Sequence, residues 1–350
     1  MTLTDLPSVV SIGGGTGLSC LLKGLKHSVL DHPILEAPKA KPWLARLTAV
    51  VTVTDDGGSS GQLRREFQVL PPGDIRNCLV ALSTDESLLS KLFQFRFPRS
   101  GRLQGHSFGN LFLTALTAVS GDFLEAVQVS SDVLAIKGRI YPSTLDDVRL
   151  EAFLEDGSRI QGESKISRSR ARIKRIALLP RGCRAVPAAL GAIRAADIIT
   201  VGPGSLYTSL LPNLLVRGIV SEIRKSRALK IYIGNLMTQP GETTGYTASD
   251  HLAAIRDHAG IQLFDVVVLN RQSIGPEVLR RYAAQGAAPV ASDYENLRKM
   301  NVQIYEGRLL AREQVVRHDP LLLANAVHDA YRSRQARTVA TRENSFTAAL

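Results

Sequence analysis

Ser8-Val9-Val10-Ser11-Ile12-Gly13-Gly14-Gly15-Thr16-Gly17-Leu18 decides the fold. Ser8 to Ile12 is apolar enough for a strand covered on both faces. Gly13 to Gly17 is a turn, and Leu18, Leu21, Leu22 and Leu25 then recur on one face of a helix. Pro33 to Pro42 reads as a loop, and Leu47 to Thr54 as a second strand. Strand, glycine turn, helix and strand make a right-handed βαβ unit with a parallel pair. The class is α/β.

The second strand runs into Thr54-Asp55-Asp56-Gly57-Gly58-Ser59-Ser60-Gly61. Two adjacent carboxylates therefore sit where a strand ends and a loop of Gly and Ser opens. In open α/β sheets that edge is where ligands bind. Asp55 and Asp56 can orient a hydroxyl, hold a metal or act as a base. As Asx side chains they can also simply shape a turn or cap a helix. Ser59 and Ser60 add hydroxyls to the same loop.

Further along, residues 74–95 and 107–137 carry helical apolar spacing, with Asp74 placed to cap the first helix. The texture then changes. Residues 150–163 alternate around the Asp156-Gly157 turn and predict a β-hairpin, so about 138–182 reads as a small β-rich insertion. The α/β pattern resumes with a helix over 186–196 and a strand over 197–201. Strands over 229–234 and 265–270 and helices over 247–259 and 276–284 follow. Ser333 to Leu350 is polar and basic with little periodicity and predicts a frayed, flexible tail.

Several strands end in the same kind of loop. Gly13, Gly14, Gly15, Thr16 and Gly17 open a helix, the context in which backbone N–H groups and the helix dipole hold a phosphate. The spacing is neither the G-x-G-x-x-G dinucleotide fingerprint nor a P-loop, since no lysine follows. Gly202, Gly204 and Ser205 form a second such loop, and Asn235 ends the strand after it. Tyr246 precedes a helix, where it can stack on a base or pack over the helix start. Arg64, Arg65 and Arg76 can face a phosphate bidentately; Asn77 lies beside Arg76. His106, Ser107 and Asn110 put polar groups at another helix start, with no carboxylate nearby in sequence for a Ser-His-Asp triad.

Bulk composition narrows the class. The chain has 350 residues, 44% hydrophobic and 21% charged, with net charge +11. Aromatics are only 5%, and no recognition helix or base-stacking motif accompanies the charge. The excess reads as a solvated basic face, densest at Arg168 to Arg175, which also favours small anionic ligands. Cys20, Cys78 and Cys183 are odd in number and widely spaced, against a disulfide framework or four-ligand zinc site and in keeping with a reducing cytoplasm. No apolar run is long enough to span a bilayer, and Met1 to Pro7 has no basic region before an apolar core.

Taken in order, Ile-Gly-Gly-Gly-Thr-Gly, Thr-Asp-Asp-Gly-Gly-Ser-Ser-Gly, Pro-Pro-Gly-Asp-Ile-Arg-Asn, His-Ser-Phe-Gly-Asn-Leu, Gly-Pro-Gly-Ser-Leu-Tyr-Thr-Ser and Gly-Tyr-Thr-x-x-Asp-His resemble the gluconeogenesis factor family. This is the YvcK-type branch of the CofD-like superfamily, related to 2-phospho-L-lactate transferase. The likeness covers about residues 8–325 and implies a single Rossmann-like, three-layer domain with a mostly parallel sheet in a cytoplasmic protein. It implies a UDP-sugar ligand such as UDP-N-acetylglucosamine, and a role in carbon metabolism, cell shape and cell-wall precursor control. Partners in those processes and a homo-oligomer are within its scope. By the same likeness, Tyr246 and an arginine of Arg280-Arg281-Tyr282, taken as Arg281, match residues that contact the nucleotide sugar. In the transferase branch an aspartate matching Asp55 or Asp56 contacts a deazaflavin acceptor and magnesium assists; the Gly-Gly-Ser-Ser-Gly loop here is of the regulator type.

Two functions follow as expectations: a nucleotide-sugar-binding regulator, and a magnesium-dependent transferase using Asp55 and Asp56. Nucleic-acid binding through the net charge ranks below both.

Overall fold

A computed structural model describes residues 6–30, 42–84, 88–98 and 101–347. The loop read over Pro33 to Pro42 lies almost wholly outside them. The expected βαβ unit is present. Strand β1 (Ser8–Gly13) feeds helix α1 (Gly15–Leu25), and β2 (Arg46–Val51) pairs with β1 in parallel. The strand ends at Val51 rather than Thr54, leaving Thr52 to Gly57 as loop. Helices α2 (Gly58–Phe67), α3 (Gly73–Leu82), α4 (Leu88–Gln94) and α5 (Phe108–Ser120) follow.

The remaining strands are β3 (Arg139–Pro142), β4 (Arg149–Leu154), β5 (Arg159–Gln161), β6 (Ile173–Leu179), β7 (Ile198–Val201), β8 (Leu229–Ile233), β9 (Val266–Asn270) and β10 (Gln303–Gly307). Seven of them form one parallel sheet in the order β10-β9-β8-β7-β1-β2-β3. The chain builds outward from β1 to β2 and β3, then returns to β7 on the other side of β1. The order thus reverses between β1 and β7, and ligands of open α/β sheets bind at such a point.

Alternation along the strands makes the three layers. Val9, Ala49, Ile198, Ile231 and Val268 face one apolar cluster with Leu18, Leu21, Leu22 and Leu25 of α1. Val10, Val50, Ile199, Tyr232 and Val267 face another with the helices that follow β6. A period of two in each strand sends successive side chains to opposite faces, and both faces are covered.

Three expectations need correction, and one strand was not expected. The segment 138–182 is not all insertion, because Arg139–Pro142 is the edge strand of the main sheet. The insertion proper is the antiparallel sheet β5-β4-β6 with a short helix, Glu163–Arg168; its Leu150, Ala152 and Ile176 join the second apolar cluster. Asp74 does not cap α3: Pro72 holds that position without a side-chain cap, and the Asp74 carboxylate turns elsewhere. Residues from 333 on continue one helix, Pro320–Thr347, where their polar sequence predicts fraying. Strand β10 was not foreseen, being polar enough (Gln303, Tyr305, Glu306) to hide a strand period.

Candidate functional site

Two glycine loops meet at the sheet's reversal point. Gly14 precedes α1 in extended backbone, offers no side-chain cap, and no acidic residue stands in the first turn. The Gly15 N–H goes to the Asp74 carboxylate, and the N–H groups after it have no cap from Gly14 and no acidic side chain in their own turn, an arrangement that can receive an anion. Gly15 has φ +61°, the left-handed region that glycine occupies without strain. A Cβ on Gly17 would fall 2.3 Å from the Pro203 carbonyl oxygen, so the loop after β7 touches the turn after β1.

Three side-chain amides hold the loops. Asn213 is fully buried and donates from Nδ2 to the Gly13 and Ser209 carbonyls at 3.0 and 2.8 Å. Asn235 donates to the Gly204 carbonyl at 2.8 Å, and Gln239 to the Ser205 hydroxyl at 2.8 Å. The Gln239 Oε1 atom is buried without a partner.

In front of these loops lies a cavity of about 830 Å³, within the range of small-molecule sites. Of the expected residues, Gly14, Gly15, Thr16, Gly17, Asn77, Gly204, Ser205 and Asn235 line it. Gly13 and Gly202 stand behind it as strand ends. The cavity runs along the side of α1 away from the leucines, past Ser19, Cys20 and Lys23. It is closed by α3, α4 and the segment 313–320.

A second group of expected residues gathers around α2, α3 and α5 instead. Asn110 donates to the Ser59 hydroxyl at 3.1 Å and more weakly to Ser60 at 3.5 Å; Ser59 pairs with His106 Nδ1 at 3.1 Å. Arg76 donates to the Ser107 hydroxyl and to Asn77 Oδ1, each at 2.6 Å. Burial pulls the Arg76 guanidinium down to about 10, still cationic at neutral pH. Asn110 Oδ1 and Arg76 Nε are buried without partners. Asn77 joins the two groups, since it lines the cavity and accepts from Arg76.

Asp74 lies between them. A Cβ on Gly14 would come 2.7 Å from Asp74 Oδ2. The carboxylate accepts from the Gly15 N–H, yet burial, and then the neighbouring Asp55 charge, raise its pKa to about 7. Asp55 accepts from the Gly57 N–H at 2.9 Å and would approach a Cβ on Gly73 to 2.8 Å. Asp56 turns away and accepts from the Ser164 N–H at 2.9 Å, capping the helix of the insertion. The two aspartates thus take different backbone partners, while both charges add to burial in raising the pKa of Glu163. Among the described residues no cluster of three or more His, Cys, Asp or Glu side chains is placed to hold a metal.

Other arginines are also engaged. Arg64 is buried on Asp147 and the Val148 carbonyl rather than facing a phosphate, and Arg65 is exposed. Tyr246 lies outside the cavity lining. Its hydroxyl meets that of Tyr207 at 2.8 Å, and its ring stands edge-on to His251, as packing over a helix start requires. Exposed Arg281 donates to the Gln314 carbonyl; its neighbour Tyr282 lines the cavity.

Sequence reasoning missed Lys23, Asn213, Gln239, Arg317 and His318. Lys23 was legible, since Thr16, Ser19, Cys20 and Lys23 form the polar stripe opposite the leucines. Arg317 and His318 carry no local signal, reaching the cavity only because the chain returns there before its last helix.

A doubly wound parallel sheet whose glycine turns converge on one cleft is a Rossmann-like α/β fold. The sequence matches the family 2-phospho-L-lactate transferase CofD over residues 9–310, and the chain belongs to that family. It is 45% identical over 324 residues to the Gluconeogenesis factor of Bacillus subtilis, covering 92% of this chain and 98% of that one. The Gluconeogenesis factor of Halalkalibacterium halodurans is 45% identical over 321 residues, 91% of this chain and 95% of the relative. A crystal structure of a UPF0052-family protein from Bacillus halodurans superposes with TM-score 0.85 at 44% identity, covering 92% of this chain and 98% of that one. No helix among the described residues is long and apolar enough to cross a membrane.

Proposed function

We propose that this protein is a nucleotide-sugar-binding regulator, a gluconeogenesis factor that takes UDP-N-acetylglucosamine or a close analogue. In this reading it acts in carbon metabolism, cell shape and cell-wall precursor control in the cytoplasm. The observation that carries it is the convergence of the Gly14–Gly17 turn and the Gly204–Ser205 loop on one cavity. The diphosphate lies on the α1 N-terminus, where charge-assisted hydrogen bonds to N–H groups are strongest. Asn235 and Gln239 offer amides to the rest of the ligand, and the unpartnered Gln239 Oε1 awaits a donor. Exposed Arg281 stands next to Tyr282, which lines the cavity. Isothermal titration with UDP-N-acetylglucosamine and UDP-glucose tests this: saturable heat is expected, and none at millimolar ligand overturns it.

The family match also supports a transferase reading. In that reading Asp55 and Asp56 would hold magnesium, with Asp56 also accepting from the Ser164 N–H. Turnover decides between the two. Product by mass spectrometry from a nucleotide-activated donor, a deazaflavin acceptor and magnesium would make the protein a transferase.

A further inference from the structure

The far end of the cavity is chemically unlike the glycine turns. Lys23, Lys26, Lys91 and Arg317 line it against a single carboxylate in the lining, Glu313. Lys26 donates from Nζ to the Ser83 carbonyl at 2.8 Å, while Lys23, Lys91 and Arg317 are exposed at the wall. His318 lines the same end; it is only 8% exposed and its Nε2 has no hydrogen-bond partner. A buried polar atom left unpaired is costly, and a ligand group in the cavity can satisfy it. Burial holds the imidazole neutral, with its pKa down to about 4.

The spacing along α1 sets the reach. Lys23 is eight residues past Gly15, ~12 Å along the axis at ~1.5 Å per residue. Helical side chains lean toward the N-terminus, so the ammonium reaches back toward a group attached to a diphosphate at Gly15. A neutral hexose would leave the three cations with Glu313 as the only opposite charge in the lining.

Resting on the nucleotide-sugar reading, we infer that this end is an anion subsite. A nucleotide sugar that carries an acidic group, a carboxylate or a phosphate, therefore binds more tightly than its neutral counterpart, because Lys23, Lys91 and Arg317 hold that group while His318 Nε2 makes one hydrogen bond to the sugar.

Titration of UDP-glucose against UDP-glucuronic acid tests this, since the two differ only in an acidic group on the sugar. The acidic sugar should bind about tenfold more tightly at low salt, and the ratio should fall toward one in Lys23→Ala and Arg317→Ala proteins. Equal affinities in the wild type would overturn the anion subsite and leave the nucleotide-sugar reading intact. Absence of binding by both would overturn that reading itself. A third arm adds inorganic phosphate to UDP-glucose. If phosphate tightens UDP-glucose while UDP-glucuronic acid gains nothing over it, the subsite takes a free anion and the inferred acidic sugar is wrong.

Discussion

Gly17 and Pro203 are in such close contact that a Cβ on the glycine would sit 2.3 Å from the proline carbonyl oxygen. This contact joins the turn after β1 to the loop after β7, nearly 190 residues apart in sequence, and brings two glycine loops onto one cavity. Gly17→Ala must push them apart. Overpacking of this kind costs about 1–3 kcal/mol. The expected result is a lower midpoint in thermal unfolding together with a loss of nucleotide-sugar affinity by titration. An alanine protein that binds as wild type does would show the loops to move independently.

Asn213 does for Gly13 what Pro203 does for Gly17. Its amide is the shared donor to two buried carbonyls. Asn213→Ala leaves both short of a partner, at a cost of about 1–3 kcal/mol. Urea denaturation should report it as a lower midpoint with an unchanged slope.

Asp74 predicts a pH dependence. Its folded pKa of about 7 lies above the ordinary 3.8. Between those values the folded chain holds a proton that the unfolded chain has lost, so stability falls as pH rises. The contribution is fully present below about pH 4 and gone above about pH 7. Asp74→Asn removes the titration and should flatten the fall. Melting temperatures of both proteins between pH 4 and 8 check it, and parallel curves would exclude Asp74 as the source.

Asp56 and Asp55 should separate on mutation. Asp56→Ala removes a cap from the helix Glu163–Arg168 and should cost about 0.5–2 kcal/mol. Ligand affinity should stay within twofold, because Asp56 does not line the cavity. A large drop in affinity with little loss of stability would return Asp56 to the site.

The two aspartates also mark how far the sequence could be read. Their place at a strand end was legible from Val51 to Gly61, because β-branched residues followed by Gly and Ser give one local structure. Their divergence was not. Asp56 is turned by Ser164, and Asp55 stands against Gly73. Neither neighbour is within ten residues.

The sequence alone determined the α/β class, the βαβ opening, the strand-end loops and the hairpin at 150–163. Each of these is written in residues a few positions apart, through periods of two and 3.6 and through glycine's freedom at a turn. Only the tertiary structure decided which loops share a cavity. It gathered Gly14 to Gly17 with Ser205, Asn235, Arg317 and His318, and it set Ser59, Arg76 and Asn110 in a second, buried network that Asn77 links to the cavity. That choice depends on strand order, and strand order follows from how two apolar faces of one sheet are covered at once, a property of the whole chain rather than of any segment.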